Sequence, residues 1–155
     1  MSIKIKGLSK VTSDLKKFGV DGTNVIKREL DITATDIQRK AFTRAPSRLG
    51  NEPLNIKQRI DKNVSNGGLT WKVGIQGAED LDAYVEFGTG LNFIDIISRE
   101  PGKYTPEILA VARLFYKNGQ GPLRGTPYLF PSFFEESPKL IENLKSELTK
   151  LAKKP

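Results

Sequence analysis

The chain has no cysteine and no histidine. The first absence excludes disulfides and thiolate metal sites. The second removes the side chain most used as a general base and as a metal ligand near neutral pH. Catalysis would have to rest on carboxylates, lysine, tyrosine or serine alone, so we expect no enzyme, no cofactor and no metal site. Long apolar runs are lacking too. No stretch approaches the roughly 20 apolar residues that span a bilayer, and no membrane association is expected. Residues 1–20 alternate charge with hydrophobe, which predicts no signal peptide and assembly in the cytoplasm.

What is present suits one domain over all 155 residues, with a modest apolar fraction of 37%. That composition fits a single core with a large polar surface, or a subunit that buries more surface on assembly. The net charge of +7 is unevenly placed. Residues 1–62 hold 14 Lys+Arg against 7 Asp+Glu, whereas residues 63–155 hold 11 of each. A basic N-terminal half favours contact with DNA or an acidic protein surface, unless it is simply a solvated helix face.

The periodicities predict an α+β fold: an antiparallel meander sheet of about four strands packed against a long helix in the N-terminal half and a C-terminal helix. Ser2–Lys6 alternates like a strand, and Val11, Leu15 and Phe18 suggest a short helix. Asp21-Gly22-Thr23 is a break with Thr23 as N-cap. Ile26, Leu30, Ala34, Ile37 and Ala41 then form one apolar stripe, which Ala45-Pro46 ends. Residues 46–55 read as loop. Ile60, Lys62 and Val64 alternate, as do Leu69, Trp71, Val73 and Ile75, with a hairpin turn at Ser65-Asn66-Gly67-Gly68 between them. Leu81 to Phe87 reads as a third strand of the meander, with Ala83, Val85 and Phe87 on one face and Tyr84 and Glu86 on the other. Thr105-Pro106-Glu107 starts a short helix inside an insertion at 91–123. In the last segment Leu140, Ile141, Leu144, Leu148 and Leu151 make a helical stripe. Ser137-Pro138 either starts this helix or bends a longer one that begins near Pro131.

Two segments carry the sharpest pattern. In Tyr84-Val85-Glu86-Phe87-Gly88-Thr89-Gly90 an element runs directly into glycines that take backbone angles closed to other residues. Arg124-Gly125-Thr126-Pro127-Tyr128-Leu129-Phe130-Pro131 is a stiff proline-flanked loop with exposed aromatics that leads into the last helix. Tyr84, Glu86, Gly88, Thr89, Gly90, Arg124, Pro127, Tyr128 and Phe130 are therefore the candidate subunit or partner interface, and Glu86 with Arg124 is the candidate ion pair in it. The plainer alternative is a core element with its exit turn and a helix entry held by aromatic packing. Glu79, Asp80 and Asp82 could hold a hard cation or form a solvated turn. Glu135-Glu136 fit the dipole of a helix start.

In this order the two segments resemble the phage morphogenesis family of small neck proteins, the head–tail joining or tail-completion proteins of tailed bacteriophages (the gene-product-ten-like family of lambda-like siphophages). The matching motifs are YVEFGTG at 84–90 and PYLFP at 127–131, supported by IKIKGLSKVTSDLKKF at 3–18 and by Ala45-Pro46 after a long helix. The chain departs from the pattern in the length of 91–123 and in Arg48-Leu49-Gly50, where a Thr-Gly is more usual. The resemblance implies a structural virion protein, not a catalyst. It would form a homo-oligomeric ring, commonly six-fold, that touches portal-adaptor, neck and tail proteins and lines the DNA path. It would be assembled in the host cytoplasm and end in the virion. A stand-alone DNA-binding protein and a small carboxylate-based hydrolase are the competing readings.

Overall fold

The computed structural model describes residues 2–4, 19–49, 52–53, 56–75, 79–88, 106 and 125–153. In chain order these give β1 (Ser2–Lys4), α1 (Gly19–Arg44), β2 (Arg48–Leu49), β3 (Glu52–Pro53), α2 (Ile56–Arg59), β4 (Ile60–Ser65), a 3-10 turn (Asn66–Gly68), β5 (Thr70–Ile75), α3 (Glu79–Phe87) and α4 (Leu129–Ala152). The fold is α+β, with a long helix, a C-terminal helix and an antiparallel sheet. The expected helix at 11–18, and all but Pro106 of the expected helix at 105–117 and of the 91–123 insertion, lie outside the described residues.

The stripe on α1 behaves as its spacing dictates: Ile26, Leu30, Ala34, Ile37 and Ala41 are all fully or almost fully buried. A helix with an apolar face on one side must cover it, and here the sheet and α4 do so. The helix starts four residues before the expected cap, at Gly19, and Gly22 is buried within it. Its end is as expected. The Ala45 amide donates to the Ala41 carbonyl at 2.8 Å, and Pro46 cannot extend the ladder.

The β4–β5 hairpin has the anticipated alternation, with Ile60 opposite Ile75, Lys62 opposite Val73 and Val64 opposite Trp71. Asn66 (φ 51°) and Gly67 (φ 59°) both take positive φ in the turn, as the Asn-Gly pair predicts. Two expectations fail. Residues 81–87 are helical, not a strand. Ala83, Val85, Glu86 and Phe87 are all buried, and the seven-residue run is too short for its alternation to separate strand from helix. Among the described residues the sheet has three strands, in the order β1-β5-β4, and residues 81–87 do not supply a fourth. β1 takes the place beside β5 that the third meander strand would have held, with Ile3 opposite Val73. Residues 48–53, read as loop, also form a minimal hairpin, β2 with β3.

α4 begins at Leu129 and runs through Pro138 to Ala152, so the longer of the two expected helices is the one that forms. It lies antiparallel to α1. Arg44 meets Ser132 at one end, and Arg28 meets Glu147 at the other. The apolar interior falls into two clusters. The larger joins the C-terminal half of α1 to Ile56, Val73, Ile75, Val85, Phe87, Tyr128, Leu129 and Phe130. The smaller consists of Ile26, Leu30, Leu140 and Leu144, with Leu69, Trp71 and Leu148 against it.

Candidate functional site

The two motif segments meet. α3 ends at Phe87, and Gly88 closes it in the left-handed region (φ 77°), its amide donating to the Tyr84 carbonyl at 2.8 Å. Glycine takes that conformation without a Cβ penalty. This turn leaves Glu86 facing the start of α4. A helix start presents amides with no partner in their own helix, and Tyr128, at the cap position, makes no side-chain cap bond. Glu86 supplies the missing acceptor. Its Oε2 accepts the amides of Tyr128 and Leu129, at 2.8 and 2.9 Å, and its Oε1 accepts that of Phe130 at 3.0 Å. One carboxylate thus caps a helix from 42 residues upstream, with its charge matched to the positive end of the dipole. The Thr126 amide donates to the Val85 carbonyl at 2.7 Å, which pins the approach to the cap. Phe130 stands 5.6 Å from Phe87 and 6.1 Å from Phe134, ring centre to ring centre.

Of the residues expected at an interface, Glu86 and Tyr128 are 0% exposed and Phe130 is 4% exposed. Gly88 is buried too, while Tyr84 and Pro127 are half-buried. The exposed aromatic loop anticipated at 127–131 is therefore an internal joint, because its aromatics fill the larger core. Glu86 is likewise not on the polar face of a strand but inside the fold. Thr89, Gly90 and Arg124 lie outside the described residues, and with them the expected Glu86–Arg124 pair. So do the side chains of Glu79, Asp80 and Asp82. Among the described residues no cluster of three carboxylates gathers as for a metal ion.

The sequence reading missed a second feature, the ionic seam between α1 and α4. Lys40 bridges Glu135 and Glu136, and Arg44 bridges Glu135 and donates to Ser132 Oγ at 2.9 Å. Glu135 and Glu136 do more than complement a helix dipole, since both are ion-paired to α1. The hydrogen bond from Lys40, then that from Arg44, hold the Glu135 carboxyl down to about 2. Burial pushes the Glu136 carboxyl up, but Lys139 and Lys40 together outweigh it and the net direction is down. Farther along, Arg28 bridges Glu29 and Glu147, and Lys62 reaches Asp31 at 2.6 Å while lying over the Trp71 ring at 4.8 Å. Several cations of the basic N-terminal half are thus neutralised inside the chain, three of them by acidic residues more than ninety positions away. Spacing along the sequence carries no trace of such pairs.

Chemically, the arrangement fixes the end of one helix against the start of another. The Glu86 carboxylate and the Ser132 hydroxyl are both engaged by the backbone at the start of that helix. Among the described residues no helix is long and apolar enough to cross a membrane. No protein-family model matches the chain, and comparison with curated proteins and with solved structures returns no match.

Proposed function

We propose that the protein is a structural subunit of the neck or tail of a tailed bacteriophage, a head–tail connector or tail-completion protein that forms a ring joining tail to head and lining the DNA path. The observation that carries this reading is the joint at Glu86. The two segments through which the chain resembles the phage neck family are far apart in sequence, yet they form one unit in space. A motif pair whose job is to lock two helices together serves a scaffold that must bear load, rather than a reaction. The ring is homo-oligomeric, six-fold by the resemblance, with portal-adaptor, neck and tail proteins as neighbours, and the virion as its destination.

The test is a phage that lacks this gene, imaged by electron microscopy. Filled heads without joined tails, or tails with an open end, are expected; intact infectious particles would overturn the reading. The alternative, a stand-alone DNA-binding protein, draws on the net charge of +7. Against it stand the ion pairs that engage Arg28, Lys40, Arg44 and Lys62 within the chain. Phosphate contacts weaken steeply with added salt, so a DNA affinity that collapses between low and physiological salt would favour the alternative.

A further inference from the structure

α4 is one helix held by two different cores. Before Pro138 it is anchored by the Glu86 cap, by Leu129 and Phe130 in the larger cluster, and by the Lys40 and Arg44 bridges. After Pro138 it rests on a four-residue cluster, to which it contributes Leu140 and Leu144. The described ion pair that ties this stretch to α1 is Arg28–Glu147, with the arginine side chain 54% exposed. Pro138 divides the two parts inside the helix. Proline brings no amide to the helical ladder and crowds the preceding turn, so bending there breaks less than bending elsewhere. Trp71, which packs against both clusters, has a buried Nε1 with no hydrogen-bond partner among the described residues, a cost borne by the docked state. Segments with few buried contacts open locally while the rest of the fold stays closed.

We propose that residues 139–152 form an exchangeable arm, which leaves its seat on Ile26, Leu30, Leu69 and Trp71 and docks in the same seat of a second copy of this chain. The occupant is fixed by the structure itself. The seat already holds this segment, every copy carries the identical seat, and the first half of α4 remains locked as the root of the arm. If each copy gives an arm to one neighbour and receives one from the other, the contact is head-to-tail, the kind that makes a ring when the rotation between neighbours closes. The arm rests on the ring reading for its setting and supplies the contact between copies that the reading requires.

The chain's lack of cysteine makes the test clean. Arg28→Cys and Glu147→Cys are made in separate chains, mixed, incubated and treated with a short bismaleimide. The double variant in one chain, cross-linked at high dilution, establishes that the reagent spans the pair. Cross-linked heterodimer between the two single variants is expected, at several times the yield of either homodimer. Heterodimer yield no higher than homodimer yield overturns the arm. Pro138→Ala is expected to reduce the heterodimer several-fold, and an unchanged yield overturns the hinge. Sedimentation of the unmodified chain reads the ring separately. A ring with no cross-chain link sinks the arm alone, and a linked dimer that never exceeds two copies keeps the arm and sinks the ring.

Discussion

Glu86 Oε2 lies 2.8 Å from the amide nitrogen of Tyr128, so the last turn of one helix caps the first turn of another. The carboxylate is fully buried and accepts three amides in all. Glu86→Gln keeps the shape but places an NH2 donor against amide donors. It should cost about 2–4 kcal/mol of folding stability. Urea unfolding followed by circular dichroism measures it, and a loss below about 0.5 kcal/mol would show that the cap contributes little.

The ionic seam predicts a response to acid. Glu135 is held down to about 2 from 4.5, chiefly by Lys40 and then by Arg44. A carboxylate with a depressed folded-state pKa contributes stability that is present above 4.5 and is lost as pH falls toward about 2. Melting temperature should therefore drop across that window. Lys40→Met should flatten the drop, since the strongest hydrogen bond holding the carboxylate down is gone. The contribution is small, because Glu135 is exposed, and added salt should shrink it further. Parallel acid melting curves for the two proteins would contradict the assignment.

Leu30 is fully buried in the smaller core, between Ile26 and the leucines of α4. Leu30→Ala should cost about 2–5 kcal/mol. The exposed Ile32, two positions along the same helix, provides the control. Ile32→Ala should change stability by no more than about 0.5 kcal/mol. Equal losses at the two positions would mean that the helix face is misassigned.

At the hairpin tip, a Cβ on Gly67 would meet open space, yet its φ is +59°. Gly67→Ala is therefore a test of backbone strain alone and should cost about 1 kcal/mol. Denaturant unfolding should show a lowered midpoint with an unchanged slope. A changed slope would instead point to a change in the unfolded state.

The long helix, the hairpin and the last helix were legible because each has an apolar stripe or alternation on one face and water on the other. Residues 81–87 were not, since a short run in which Glu86 is buried along with its apolar neighbours does not keep the period that tells a helix from a strand. Their misassignment hid the role of Glu86. A glutamate on a strand edge reads as a surface anchor, whereas the same residue at a helix end, ahead of a glycine cap, points into the fold. The cue that was available is the buried run Val85 to Phe87 with an acid in its middle. Charge counts likewise placed a basic excess in residues 1–62, but the partners that neutralise much of it come from α4, through contacts that only the tertiary fold brings about.

The joint at Glu86 also imposes an order on biosynthesis. The acceptor leaves the ribosome 42 residues before its first donor, a delay of roughly 2–8 s at ordinary elongation rates. Until Tyr128, Leu129 and Phe130 emerge, the nascent chain cannot bury this carboxylate with its amides satisfied, and the larger core lacks the aromatics that fill it. α1 and the β4–β5 hairpin are complete long before that moment and must wait without the part of their cover that α4 provides. The larger core thus depends on a helix translated well after the elements it completes, and it closes only after translation has passed the cap.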